Sequence, residues 1–275
     1  MKAQWQKYLA ELFGTFTLVF IGCSVPVGLF KLSNGQGNIL VYVWQFAPFA
    51  FGLALLAGLY AFGETSGGHF NPAVSLAMFL DRRLSVIDLV GYWLFQFVGA
   101  IVAAAVLVLA FEKNAVKSAA TLPGFGKGPA VVFEIVMTAI FVLVILQTTK
   151  SGTFGNTALI AIPLTLLAIH FAAIPISGSS VNPARTLGPA LIGNKWTAEW
   201  IYFLGPAAGA ILGWRVHTVV VEGDIDLRDN VAAVAEEVES EIHGGGAAVS
   251  DDQPDPAAPS FGTESDGDTS EEEPT

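Results

Sequence analysis

The chain is poor in cysteine and in charged residues, and both shortages exclude classes of protein. Cys23 is its one cysteine, so neither an intrachain disulfide nor a cysteine-based metal site can form. Asp, Glu, Lys and Arg together make up 13% of the 275 residues, against roughly 25% in a typical soluble domain. Neither an HExxH zinc motif nor a phosphate-binding glycine loop is present. We therefore expect no bound cofactor or metal, no nucleic-acid partner and no enzymatic activity.

The few charges are distributed unevenly. Residues 1–220 hold 12 Lys and Arg against 7 Asp and Glu, whereas residues 221–275 hold 1 against 17. The segment 222–275 is also rich in Gly, Pro and Ser and has few aromatic residues. Because such a composition cannot bury enough apolar surface to fold, we expect residues 222–275 to form an acidic disordered tail.

The body of the chain contains six long apolar runs. A hydrocarbon core about 30 Å thick requires roughly 20 helical residues, and each run is about that long. Six crossings place both termini on one side of the membrane, but the loop charges are too balanced to say which side. The runs lie near residues 8–30, 39–62, 89–111, 130–149, 156–175 and 200–221.

The body is an internal duplication. The stretch from Ser66 to Leu76 is nearly repeated 111 residues later, from Ser177 to Leu187, and each copy contains Asn-Pro-Ala. The repeats cover residues 1–111 and 130–221, joined by a loop at 112–129. Each repeat contains three spans, and this odd number forces the second repeat to lie inverted relative to the first.

Each Asn-Pro-Ala starts a helix, because Asn is a strong N-cap and Pro suits the first helical position. The apolar stretches that follow, near 72–80 and 183–192, are too short to cross a membrane. Two half-helices meeting at mid-membrane would direct about half a positive charge each at one point, where the Asn side chains could donate to a single water. The arrangement predicts a pore. Its motif residues are Asn71, Pro72, Ala73, Asn182, Pro183 and Ala184.

These motifs, with an arginine directly after the second copy, resemble those of the aquaporin and glycerol-facilitator family, also called major intrinsic proteins. The resemblance covers residues 5 to 220 and implies an all-α membrane protein with six transmembrane helices and two half-helices, arranged as an hourglass. It also implies a homotetramer in the cell membrane with both termini in the cytoplasm.

The resemblance extends to a selectivity filter of four residues, which fall by spacing on Phe51, His170, Ser179 and Arg185. This set is similar to that of the water-selective branch, whereas the glycerol branch typically has Gly in place of His170 and an aromatic in place of Ser179. Arg185 would supply fixed positive charge, and Phe51 would narrow the passage to about one water. An arginine in an apolar region is costly and is by default a candidate for a functional site.

Two carboxylates, Glu11 and Glu134, occupy matching places early in the first and fourth spans. The resemblance implies that they bind backbone N–H groups of the two motif loops and so turn the loop carbonyls toward the pore. The carbonyls concerned are those of Gly67, Gly68, His69, Gly178, Ser179 and Ser180.

The sequence therefore predicts a channel for passive, bidirectional, single-file water flow across a lipid bilayer, with exclusion of protons and ions. Within the same family, a facilitator for glycerol, urea or ammonia is the alternative. A coupled secondary transporter that uses Glu11 and Glu134 as proton-coupling groups is a remote one, because such carriers usually need a relay of ionisable groups.

Overall fold

The computed structural model describes residues 3–150, 157–224 and 226–243. Those residues form helices joined by short loops, and six of the helices are long and apolar enough to cross a membrane. The helices are α1 Gln4–Leu32, α2 Leu40–Ser66, α3 Pro72–Leu80, α4 Val86–Ala110, α5 Lys113–Val116, α6 Lys127–Thr148, α7 Ala158–Ser177, α8 Pro183–Gly193, α9 Trp200–Val216 and α10 Leu227–His243, with a 3₁₀ turn at Lys117–Ala119 and a π-helical turn at His217–Val221.

The six predicted spans are confirmed as α1, α2, α4, α6, α7 and α9. Their ends differ from the apolar runs by a few residues, because a helix continues past the hydrocarbon-like part of its sequence until a cap or a glycine ends it. α2 and α7 both end at a glycine in the left-handed conformation, Gly67 with φ 83° and Gly178 with φ 80°. Both motif loops begin at these residues.

The packing repeats the duplication of the sequence. α1 packs against α2 and α4, and its counterpart α6 packs against α7 and α9. The short helices cross between the halves, since α3 packs against α9 and α8 against α4. Each half-helix thus fills a place in the opposite repeat and ties the two repeats into one body.

Close helix approach depends on glycine in α9. A Cβ atom at Gly209 would lie 2.5 Å from the Ile135 carbonyl oxygen, and one at Gly213 the same distance from that of Ala139. In the first repeat, a Cβ atom at Gly99 of α4 would likewise collide with the Leu12 carbonyl oxygen of α1. Small residues of this kind allow the helix backbones to touch inside a bilayer.

Large apolar side chains remain exposed on the outer surface of the helices. Leu109 is 87% exposed and Leu204 is 63% exposed, which would be unfavourable in water but suits contact with lipid. Exposed tryptophans lie at helix ends, where aromatic side chains favour the membrane interface: Trp5, Trp44 and Trp200.

The prediction of a disordered tail is wrong for Leu227–His243, which forms α10. The overall composition of the tail concealed a helical stripe of half-buried residues that includes Val234 and Val238. α10 is also held by charge: Glu237 pairs with Arg82 at 3.3 Å, and Glu241 accepts a hydrogen bond from the Val86 N–H at the start of α4. Residues 244–275 lie outside the described residues.

We expect Gly209→Val to destabilise the protein, because its side chain would have to displace the α6 backbone at Ile135. Overpacking of this kind typically costs about 1–3 kcal/mol. Thermal unfolding of the detergent-solubilised protein, followed by size-exclusion fluorescence, should show a lower midpoint. Gly28→Val in α1 is the control, since no atom lies within 4 Å of a Cβ built there. Equal midpoints for the two variants would contradict the argument.

Candidate functional site: the meeting point of two half-helices

The two Asn-Pro-Ala motifs begin two half-helices whose tips meet. Asn71 caps α3 by accepting a hydrogen bond from the Ala73 N–H at 2.9 Å. Asn182 caps α8 by accepting from Ala184 N–H at 3.0 Å and from Arg185 N–H at 3.2 Å. Each proline occupies the first helical position, as the sequence predicted.

The caps also bind each other's loops. The Asn71 amide nitrogen donates to the Val181 carbonyl at 2.8 Å, and the Asn182 amide nitrogen donates to the Phe70 carbonyl at 2.9 Å. Each asparagine therefore accepts through its side-chain oxygen from its own helix and donates one side-chain N–H to the opposite loop. A side-chain amide has two N–H groups, so one remains on each asparagine for another acceptor.

Two buried carboxylates hold the motif loops in place by hydrogen bonds. Glu11 accepts from the backbone N–H groups of His69 at 3.0 Å and Phe70 at 2.6 Å, and it also binds the Ser66 hydroxyl and the Gln96 amide. Both Glu11 and its hydrogen-bond partners are buried.

Glu134 does the same in the second repeat. It accepts from the N–H groups of Ser180 at 2.9 Å and Val181 at 2.7 Å, and from the Ser177 hydroxyl at 2.7 Å. Charge-assisted bonds of this kind are about twice as strong as neutral ones, and three of them offset much of the cost of burying the carboxylate.

These bonds determine where the loop carbonyls point. In a trans peptide the C=O and the following N–H point in opposite directions, and the described residues contain no cis peptide. Glu11 and the Ser66 hydroxyl bind the N–H groups of residues 68–70, so the carbonyls of Gly67, Gly68 and His69 point away from Glu11. The same reasoning turns the carbonyls of Gly178, Ser179 and Ser180 away from Glu134.

The residue before each asparagine has a strained backbone. Phe70 has φ 47° and Val181 has φ 46°, and a positive φ is rare for a β-branched residue such as valine. Each is held on both sides of its backbone, because the N–H binds a buried glutamate and the carbonyl binds the opposite asparagine. Such strain costs about 1–3 kcal/mol and persists only when the surroundings enforce it.

A narrow cavity runs beside the two asparagines. The centre of a water-sized sphere can occupy only about 20 Å³ of this cavity. By the same measure a single water molecule needs roughly 10–15 Å³. The wall combines polar groups of the motif loops with apolar side chains of the spans. The lining residues are Leu18, Phe51, Leu55, His69, Asn71, Phe141, Leu166, His170, Ser180, Val181, Asn182 and Arg185.

Three of the four residues expected to form the filter, Phe51, His170 and Arg185, line this cavity, and the fourth, Ser179, contacts His170. The Phe51 and His170 rings are 4.8 Å apart between centroids, and the Arg185 guanidinium carbon lies 4.9 Å from the Phe51 ring centre. The Ser179 hydroxyl is 3.1 Å from His170 Nδ1. Among the described residues, neither His170 Nε2 nor Arg185 Nε has a hydrogen-bond partner. Polar groups that can bind a small molecule therefore remain at this cavity.

Arg185 is anchored by the loop between the repeats, residues 112–129. Its guanidinium donates to the Thr121 hydroxyl at 2.6 Å and to the Ala119 carbonyl at 3.2 Å. Thr121 in turn contacts the Thr186 hydroxyl at 3.0 Å, which contacts that of Ser180 at 2.6 Å. No local pattern marks Thr121, because its role depends on a contact 64 residues away in the chain.

Comparisons with known proteins identify the family. The family model for the major intrinsic protein matches residues 1–217. A glycerol uptake facilitator protein-like 6 from Lactiplantibacillus plantarum is 41% identical over 75% of this chain and 94% of its own length. Aquaporin Z from Photorhabdus laumondii is 38% identical, covering 78% of this chain and 97% of its own. Aquaporin NIP1-1 from Oryza sativa is 38% identical, with coverages of 82% and 77%.

The fold is also found among solved structures. The X-ray structure of the aquaglyceroporin from Plasmodium falciparum superposes with a TM-score of 0.70, covering 80% of this chain and 97% of that one at 21% identity. At this identity the likeness concerns the fold alone.

We expect Glu134→Gln to lower thermal stability and to reduce permeation. Glutamine would place an NH₂ group against N–H donors of the loop, and an unsatisfied buried donor costs about 1–3 kcal/mol. Thermal midpoints in detergent and stopped-flow permeability in proteoliposomes would measure both effects. Glu112→Gln is the control, because Glu112 forms a 2.9 Å pair with Lys31 at the surface. If both variants behave like the unmodified protein, Glu134 does not hold the loop as argued.

Proposed function

Because the chain belongs to the major intrinsic protein family of multi-pass membrane channels, we propose that it is a channel selective for water. The observation that supports this best is the cluster of Phe51, His170 and Arg185 around a cavity whose water-accessible volume is only about 20 Å³. Names of relatives do not decide the question, since they include both a glycerol facilitator-like protein and aquaporins. The side chains that line the cavity are what distinguish a water channel from a glycerol facilitator.

Water selectivity follows from the size and the polarity of this passage. Three bulky side chains enclose it, so a polyol with a carbon backbone would have to displace the Phe51 ring or the guanidinium. A water molecule fits, and it replaces the hydrogen bonds that it loses by binding the free His170 nitrogen, Arg185 and the carbonyls of the motif loops. Flow would be passive, bidirectional and driven by osmotic difference.

Exclusion of cations and protons follows from the two helix ends. α3 and α8 direct their positive N-termini at the same point, and Arg185 adds a full positive charge near it, so cations are repelled. The remaining N–H groups of Asn71 and Asn182 would donate to the oxygen of one water and turn its protons outward. Protons could not hop across a water oriented in this way.

We further propose that the protein works as a homotetramer in the cell membrane with both termini in the cytoplasm, as the family resemblance implies. Glycerol facilitation is the rival function, because one relative is named as a glycerol uptake facilitator-like protein. A coupled transporter is disfavoured because Glu11 and Glu134 are each already bound by several donors from the loops.

Stopped-flow light scattering on proteoliposomes tests the function directly. We expect vesicle shrinkage to be fast and linear in the osmotic gradient of an impermeant solute, with no requirement for an ion gradient. In a glycerol gradient, re-swelling should match that of empty liposomes. Glycerol crossing at a rate comparable to water would favour the facilitator, and a rate that saturates or depends on a proton gradient would favour the transporter.

Substitutions at the Arg185 anchor should weaken solute exclusion in a graded way. We expect Arg185→Val to admit glycerol, since it removes both bulk and charge from the filter. Thr121→Val should raise glycerol permeability less, because the Ala119 carbonyl still holds the guanidinium. Thr121→Ser keeps the hydroxyl and should restore exclusion, and Thr17→Val on an exposed face of α1 should change nothing. Unaltered exclusion in Thr121→Val would show that the anchor is unnecessary.

A further inference from the structure

A buried histidine outside the pore has no hydrogen-bond partner. His217 begins the π-helical turn that follows α9, and its side chain is fully buried. Among the described residues, neither Nδ1 nor Nε2 of the ring finds a partner. A buried polar group left unpaired costs about 1–3 kcal/mol, so such a group in a folded protein calls for an explanation.

Two carboxylates face this histidine. Asp81 is the C-cap of half-helix α3, and Glu222 is the C-cap of the π-helical turn. The possible ligand atoms of Asp81, His217 and Glu222 all lie within 4.8 Å of one another, and the closest approach of His217 Nδ1 to Glu222 is 3.9 Å.

The π-helical turn is what brings His217 and Glu222 to the same side. In an α-helix, residues five apart point about 140° away from each other, since each residue turns by about 100°. Here the Glu222 N–H donates to the His217 carbonyl at 3.2 Å, a bond between residues five apart that widens the turn. In a wider turn, residues five apart lie nearly one above the other. Isolated π turns are frequent at functional sites.

Two basic residues already contact the carboxylates, and they constrain how a ligand could bind. Arg83 lies 2.6 Å from one oxygen of Asp81 and also binds the Thr149 hydroxyl, so it leaves only the second Asp81 oxygen available. Lys150 pairs with Glu222 at 2.9 Å, but its side chain is 43% exposed. An exposed pair is worth about 0–1 kcal/mol and is readily exchanged. Glu222 can therefore leave Lys150 for a stronger partner.

We propose that Asp81, His217 and Glu222 form a binding site for a divalent cation of the zinc class. One imidazole nitrogen and two carboxylate oxygens are a donor set that suits Zn²⁺, with water as the fourth ligand. Ligands about 2.1 Å from a tetrahedral ion lie roughly 3.4 Å from one another. The ligand atoms would therefore have to approach one another by up to about 1.4 Å. The partly exposed side chain of Glu222 is free to move toward an ion.

The site would join the ends of two elements that belong to different repeats. Asp81 ends the half-helix that begins at Asn71, whereas His217 and Glu222 follow the last span. A bound ion would tie the outer end of α3 to the end of α9 and so restrain the half-helix from the side opposite to its motif. It would bind the folded state alone, which raises thermal stability with ion concentration.

Isothermal titration of the full chain with ZnCl₂ tests the site, using protein without a polyhistidine tag in detergent and a buffer that does not bind metal. We expect saturable binding of about one Zn²⁺ per chain together with a rise of the thermal midpoint. His217→Gln and Glu222→Gln should each weaken this binding by about 10-fold or more and abolish the rise. Visible absorption after Co²⁺ addition should show a coordination band that both variants lose.

Glu112→Gln is the matched control, because Glu112 forms an exposed 2.9 Å pair with Lys31 as Glu222 does with Lys150. The acidic residues of the tail are present in every variant, so weak binding there is subtracted. Equal Zn²⁺ isotherms for all four proteins would overturn the proposal, as would the absence of saturable binding in the unmodified chain. Should His217→Gln fail to fold, the surface variant Glu222→Gln decides the outcome.

Discussion

The hydrogen bonds from two loops to two buried carboxylates are the interactions on which the rest of the structure depends. Glu11 and Glu134 each bind two successive backbone N–H groups and so force the loops into a conformation that Phe70 and Val181 would not adopt alone. Without that conformation, the asparagines could not reach the opposite loops and the half-helices would not meet tip to tip. The cost of burying two charges is offset by bonds that no apolar pair could replace.

The same arrangement solves the problem of ending a helix inside a membrane. Helix ends leave backbone groups unpaired, and hydrocarbon offers nothing to bind them. Here the asparagine caps bind some of the free N–H groups at the two helix ends, and the glutamates bind N–H groups of the loops that precede them. The loop carbonyls that remain point away from the glutamates. The backbone groups that would destabilise a buried loop are the acceptors that the proposed line of water molecules needs.

The two repeats share this framework but differ in what surrounds it. In the first, Gln96 adds a bond to Glu11 and also binds Ser75, which contacts His69. In the second, a chain of hydroxyls from Ser180 through Thr186 to Thr121 leads to the guanidinium of Arg185. Among the described residues that line the cavity, the positive side chain, Arg185, comes from the second repeat, so the meeting point of the two repeats is not symmetric in charge.

The six spans, the two half-helices and their capping asparagines could all be predicted from the sequence, because they depend on local signals: apolar length, helix caps and the repeated motif. The position of Arg185 directly after the second motif also marked it as a site residue. Composition alone misjudged α10, since its helical stripe is short within a long acidic segment and is fixed by Arg82 and the start of α4.

Three contacts could not be predicted from the sequence and depend on the packing of the helices. Each asparagine binds the opposite loop, Thr121 anchors Arg185, and Asp81 lies close to His217 and Glu222. Each of these contacts joins residues far apart in the chain. Their geometry depends on how the helices pack, and no pattern within a single segment can specify it.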